Sequence, residues 1–221
     1  MAKHAPKSWW PERPDRRHLM ARCPSFSYRL RIGIMGGSFN PAHEGHLYIA
    51  KEARRLAKLD EVWWLVSPQN PLKSAQNMAD FPTRLTRART LAGRNSWLRC
   101  LDLEQQLGLF NTFASLERLR QVCRHAELVW IMGADNLSQF PQWKRATDIA
   151  RNTSILVMNR PNYGWQALAS QGASLLGRRH RHKQARQLGR SYANGTGRGW
   201  VFHLHSHNPL SATLLRSRKT I

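Results

Sequence analysis

The stretch Ile32-Gly-Ile-Met-Gly-Gly-Ser-Phe-Asn-Pro-Ala-His-Glu-Gly-His46 constrains the fold of this chain more than any other. It reads as a short apolar strand, a double-glycine turn, a proline stop, and two histidines three residues apart where a helix should begin. Gly36 and Gly37 remove side chains where a backbone must turn sharply or come close to a ligand. The helix that follows presents unpaired N–H groups and the positive end of its dipole, which together attract phosphate. His43 and His46 lie one helical turn apart, so both rings can face one side and donate hydrogen bonds to phosphate oxygens. Strand, glycine turn and helix together make a phosphate cradle.

The rest of the chain alternates in a way that suits a parallel sheet. Residues 30–35 form a first strand, and residues 44–58 carry Leu47, Ile49, Ala50, Ala53, Leu56 and Ala57 on an approximate helical stripe. Val62-Trp-Trp-Leu-Val66 is a second strand, closed by Pro68. Such a strand–helix–strand unit pairs in parallel through a right-handed crossover, and ligands sit beyond the C-terminal ends of its strands. Further strands are expected at Trp97–Leu101, Leu128–Met132, Ser154–Met158 and Trp200–Leu204. Helices are expected over 80–92 with Asp80 as cap, from Thr112 onward, and within Leu168–Leu176. The expected architecture is a single Rossmann-like, doubly wound α/β domain over 30–221, its mostly parallel sheet having five or six strands.

Gly36-Gly-Ser-Phe-Asn-Pro-Ala-His-Glu-Gly-His46 resembles the signature of the HxGH nucleotidylyltransferases, most closely that of the bacterial nicotinate-nucleotide adenylyltransferases. Later segments resemble that family in the same order. They are Ser67-Pro-Gln-Asn-Pro-Leu-Lys73, Thr112-Phe-Ala-Ser-Leu116, Gly133-Ala-Asp-Asn136 with Phe140-Pro-Gln-Trp143, Asn159-Arg-Pro161 and Leu210-Ser-Ala-Thr-Leu-Leu-Arg216. The resemblance implies adenylyl transfer from ATP to nicotinate mononucleotide, giving deamido-NAD and pyrophosphate. It implies Mg²⁺ held mainly by substrate phosphates and water, with no metal-binding residue assigned.

By the same resemblance, ATP is bound by Gly36, Gly37, Ser38, Phe39, His43 and His46 at one end and by Ser211, Thr213 and Arg216 at the other. His43, His46, Lys73 and Arg216 are the catalytic groups. The mononucleotide falls to Thr112, Asp135, Trp143, Lys144 and Arg160. Asp135 would accept a ribose hydroxyl, Trp143 would face the pyridine ring, and the Lys144 backbone N–H would receive the ring carboxylate. Arg160 would meet an anionic group. The chain departs from the family pattern at Asn111, Ser115 and Ala212, and the C-terminal helix is expected to be missing or shortened after Arg216.

Charge is the unusual feature of the composition. The formal net charge is +22, and no Asp or Glu follows Asp148. A field of that sign suits polyanions, but no nucleic-acid motif accompanies it, so nucleic acid is not the favoured partner. Residues 1–29, with Pro6, Pro11, Pro14 and Pro24 among basic residues, read as a flexible basic arm outside the domain. The run Arg178–Lys183 reads as an exposed basic face. His203, His205 and His207 alternate on one strand face, but no carboxylate or thiolate lies near them in sequence to complete a metal site. Asp102 and Glu104 are not assigned to catalysis.

Cys23, Cys100 and Cys123 lack metal-ligand spacing and read as free thiols in a reducing compartment. No apolar run approaches the ~18 residues of a bilayer span, and the N-terminus has no apolar signal core, so a cytoplasmic, membrane-free protein is expected. Two other readings stand beside the main one. The chain could be another HxGH adenylyltransferase of the phosphopantetheine type, or a degenerate family member that binds nucleic acid through its charge.

Overall fold

A computed structural model describes residues 30–68, 78–159, 164–189 and 199–204. The arm at 1–29, Lys73, Arg160, His205, His207, Ser211, Thr213, Arg216 and the C-terminal helix question all lie outside the described residues.

Among the described residues seven strands form one sheet: β1 (Arg31–Gly37), β2 (Glu61–Val66), β3 (Leu98–Leu101), β4 (Glu127–Gly133), β5 (Ser154–Met158), β6 (Arg179–His180) and β7 (Trp200–His203). Their order is β3-β2-β1-β4-β5-β7-β6, with every neighbouring pair parallel. The six strands expected from apolar runs are all present. The seventh, β6, lies inside the basic run and pairs Arg179 with Trp200 and His180 with Val201. A two-residue edge strand made of charged residues carries no apolar alternation to read, and short charged strands are what sheet edges tolerate.

The helices are α1 (Glu44–Ala57), α2 (Phe81–Ala92), α3 (Leu103–Leu107), α4 (Thr112–Val122), α5 (Ala134–Gln139), α6 (Ala146–Asn152), α7 (Gly164–Leu168) and α8 (Gln171–Leu175). Short 3₁₀ turns follow at Phe140–Gln142 and His182–Gln187. Because successive strand residues point to opposite faces, the adjacent Trp63 and Trp64 enter different cores. Trp64, Val66, Val129, Ile131 and Leu156 pack beneath α1 and α2. Trp63, Leu65, Trp130, Met132 and Val157 pack beneath α4, α5, α6 and α8. A sheet buried on both faces is the doubly wound arrangement.

The strand order reverses at β1, which lies between β2 and β4. Pairing of β1 with β2 continues to Gly37–Val66, whereas pairing with β4 ends at Ile34–Trp130. The two central strands therefore part at their C-terminal ends, which opens a cleft at the position where open α/β sheets take their ligands. At the opposite end Arg31, 7% exposed, ties the sheet together. Its Nε donates to Glu127 Oε2 at 3.0 Å, and its Nη atoms donate to the carbonyls of Ala57 and Leu188.

Candidate active site

The two histidines begin α1 in a reciprocal cap. His43 is the N-cap residue, extended at φ −149°, and its Nδ1 accepts the Gly45 N–H at 3.1 Å. His46 Nδ1 accepts the His43 N–H at 3.2 Å. Two of the donors that a helix start leaves over are thereby satisfied by imidazole nitrogens instead of the usual hydroxyl and carboxyl groups. Accepting at Nδ1 puts the proton of a neutral imidazole on Nε2 in both rings. The ring centroids are 3.9 Å apart with the planes tilted by 46°, so both imidazoles are packed against each other at the start of α1.

The approach to this pair is set by Phe39, the residue at the bend. Its φ is +47°, in the left-handed region that only a few per cent of non-glycine residues occupy. Its ring is 1% exposed, stacks on Trp64 at 5.0 Å and lies 4.9 Å from His46. The side chain of Phe39 thus belongs to the core, and what the residue can offer a ligand is its backbone. Gly36 and Gly37 also differ from the expectation of a glycine turn, because both are the last residues of β1. Gly36 is needed for a neighbouring side chain: a Cβ there would lie 2.5 Å from Trp130 Cη2. The Trp130 ring in turn meets Trp143 edge-on at 6.1 Å. One aromatic step thus links the cradle after β1 to the connector after α5.

Across the cleft, Asp135 is half-buried in the first turn of α5, directly after β4. Trp143 is half-buried against Phe140 and Trp130, so it is partly core packing, with the rest of its surface uncovered. Lys144 is exposed, and Arg145 beside it adopts φ +57°. Arg145 is held there by stacking over Phe113 at 4.0 Å and by an Nε bond to Asp148 at 2.6 Å.

Thr112 is the first residue of α4, but it does not cap the helix. The cap is Asn111, whose Oδ1 accepts the Ala114 N–H at 3.0 Å. Asparagine is among the strongest N-cap residues, so this departure from the family pattern has a local structural use and leaves Thr112 available.

Beneath α4, Glu104 is buried and accepts the Ser115 hydroxyl at 2.8 Å; Ser67 bonds it as well. Burial pushes its carboxyl above the usual range, and the Ser115 and Ser67 bonds pull only partly the other way. The folded state then holds a proton that the unfolded chain releases from about pH 4.5, so this group weakens stability as pH rises toward its folded pKa. Glu104→Gln keeps an acceptor for the hydroxyls and removes the titration. Its Tm is therefore expected to gain on the parent as pH rises from 5 to 8 in thermal melts; a constant difference across that range would refute the assignment. Asp102, the neighbouring carboxylate, faces Arg89 at 3.8 Å.

Of the residues named from sequence, His43, His46 and the 36–39 backbone follow β1, Asp135 follows β4 in the first turn of α5, Trp143 and Lys144 lie in the connector after α5, and Thr112 opens α4, the helix before β4. Arg84, not among the residues singled out from the sequence, donates to the Ser38 and Ser67 carbonyls beside this cradle.

Comparison with known proteins extends these observations. The cytidylyltransferase-like family model matches residues 34–218. A probable nicotinate-nucleotide adenylyltransferase of Gluconobacter oxydans is 42% identical over 188 residues, covering 85% of this chain and 94% of the relative. One of Caulobacter sp. is 40% identical over 192 residues, covering 86% and 99%. Among solved structures, the Plasmodium falciparum nicotinic acid mononucleotide adenylyltransferase complexed with NaAD superposes with a TM-score of 0.64 over 86% of this chain and 83% of that one. Its 16% identity makes it evidence for the fold.

Proposed function

We infer that this chain, which belongs to the nicotinate-nucleotide adenylyltransferases of the cytidylyltransferase-like family, transfers the adenylyl group of ATP to nicotinate mononucleotide. The products are deamido-NAD and pyrophosphate, in NAD biosynthesis. The observation that carries the reading at the level of the site is the pair of imidazoles at the start of α1, each anchored through Nδ1 and 3.9 Å apart between ring centroids.

In this reading a phosphate oxygen of the mononucleotide attacks the α-phosphorus of ATP in line. The new P–O bond forms as the bond to the β-phosphate oxygen breaks, and pyrophosphate leaves with that electron pair. No protein atom becomes bonded to phosphorus, so the protein's contribution is positioning and stabilisation of charge. His43 and His46 donate from Nε2 to phosphate oxygens as negative charge develops, with Ser38 and the backbone amides of 36–39 assisting. Lys73, Ser211, Thr213 and Arg216 would restrain the departing pyrophosphate. Thr112, Asp135, Trp143, the Lys144 N–H and Arg160 would hold the mononucleotide. Mg²⁺ carried on the phosphates would supply charge neutralisation while keeping most of its water. The donor set suits that role, since imidazole and amide N–H groups bind phosphate and leave its other lone pairs for a cation. Among the described residues no three His, Cys, Asp or Glu gather into a cage.

A cytoplasmic location belongs to the same reading; among the described residues no helix is long and apolar enough to cross a membrane. The test is pyrophosphate release by the purified protein with ATP, Mg²⁺ and one of three acceptors: nicotinate mononucleotide, nicotinamide mononucleotide or phosphopantetheine. Turnover with the first, at least tenfold above the other two in kcat/KM, is expected, a margin of about 1.4 kcal/mol. Turnover with phosphopantetheine alone would overturn the reading, as would salt-steep RNA binding with no turnover at all.

A further inference from the structure

Beneath the cradle lies a buried guanidinium. Arg84, on α2, is 1% exposed. Its hydrogen bonds among the described residues all go to backbone carbonyls. Nε donates to Ala79 at 2.9 Å, Nη1 to Ser38 at 2.6 Å and Ser67 at 2.7 Å, and Nη2 to Pro68 at 2.7 Å. These carbonyls come from three places: the bend after β1, the end of β2, and the approach to α2. The same segments are cross-tied by Ser67 N–H to the Gly37 carbonyl at 2.9 Å and by Ala79 N–H to Asn40 Oδ1 at 3.2 Å. A rigid planar fork of donors thus sits at the centre of a knot joining the β1 and β2 loops.

The consequence for the cradle follows from peptide geometry. In a trans peptide the carbonyl and the next N–H point to opposite sides. With the Ser38 carbonyl held by Arg84, the Phe39 N–H is turned away from α2, at a residue whose φ of +47° needs outside support. Burying a charge without a bonded carboxylate is costly, and carbonyl dipoles only partly offset it. Such a cost is unusual for a tie that neutral groups could make.

We propose that Arg84 is the positioning residue for ATP: by fixing the Ser38, Ser67 and Pro68 carbonyls it aims the Phe39 N–H and seats the bend that leads to His43 and His46. This rests on the adenylyl-transfer reading. Arg84→Lys keeps the charge but replaces the fork with a single ammonium on a flexible stem, which cannot span carbonyls on several sides. The expected result is a KM for ATP at least tenfold higher, with the KM for nicotinate mononucleotide within about twofold of the parent, in a protein whose Tm is lowered by the carbonyls left unpaired but which is folded at the assay temperature. Guanidinium ion added to Arg84→Ala is expected to restore part of the ATP affinity and to do nothing for His46→Asn.

Unchanged constants in folded Arg84→Lys, or both KM values rising together, would overturn the proposal in favour of a purely structural tie. Should neither Arg84 variant fold, Asn40→Ala opens the same knot from its other side; it is expected to raise the KM for ATP alone by about threefold, and an unchanged KM would likewise overturn the proposal. If the parent protein turns over no acceptor, the functional reading fails. The ATP dissociation constants of parent and Arg84→Lys, measured by calorimetry, then decide the positioning role separately.

Discussion

His43→Asn and His46→Asn are each expected to lower kcat by about 10²–10³ while leaving Tm within about 4 °C of the parent. Asparagine is the informative replacement because of what it keeps. Its Oδ1 falls near the position of imidazole Nδ1, the atom with which each histidine accepts a backbone N–H at the start of α1. At position 43 it is also a preferred N-cap, and at position 46 its helix propensity is close to that of histidine. What it lacks is an atom where Nε2 stands. The helix start should therefore survive while the donor to phosphate disappears. A fall in both Tm and kcat would mean that the imidazoles act chiefly as caps. Folded variants turning over within threefold of the parent would remove both histidines from the mechanism.

Gly172→Ala is expected to destabilise the protein by about 2–3 kcal/mol, a drop in Tm of about 5–10 °C. Gly172 lies in α8, which packs across α5. A Cβ there would stand 2.9 Å from the Leu137 carbonyl carbon and nearer still to its oxygen. Those atoms are backbone, so no rotamer change relieves the contact; α5 itself would have to move. Asp135 rides on α5, which ties this packing glycine to the mononucleotide side of the proposed site. A thermal melt matching the parent would show that the two helices are looser than their spacing implies.

Local chemistry made much of the molecule readable. Six apolar runs became six strands, and a parallel sheet follows from their alternation with helical stripes. Asp80 caps α2 through a 2.7 Å bond to the Thr83 N–H, as a short carboxylate before a proline-led helix should. The spacing of His43 and His46 was likewise legible, because a capping position and a one-turn repeat depend only on neighbouring residues.

Where the reading fell short, the deciding contact was remote. Gly36 was assigned to a turn, yet it is required by Trp130, a residue of another strand. β6 exists because Trp200 and Val201 offer a partner to a segment that otherwise reads as a solvated basic run.

Residues 84, 87, 89 and 94 are all arginines in or beside one helix, and nothing in their spacing separates the first from the rest. Arg84 is buried only because the chain brings the carbonyls of Ser38, Ser67, Pro68 and Ala79 to one point. The amino-acid order by itself determined the six apolar strands, the Asp80 start of α2 and the imidazole pair, since each depends on the covalent neighbours of a residue. Which arginine becomes a buried clamp, and which glycine must lack a side chain, was decided by tertiary structure. Long-range convergence of backbone and ring atoms has no counterpart in local sequence.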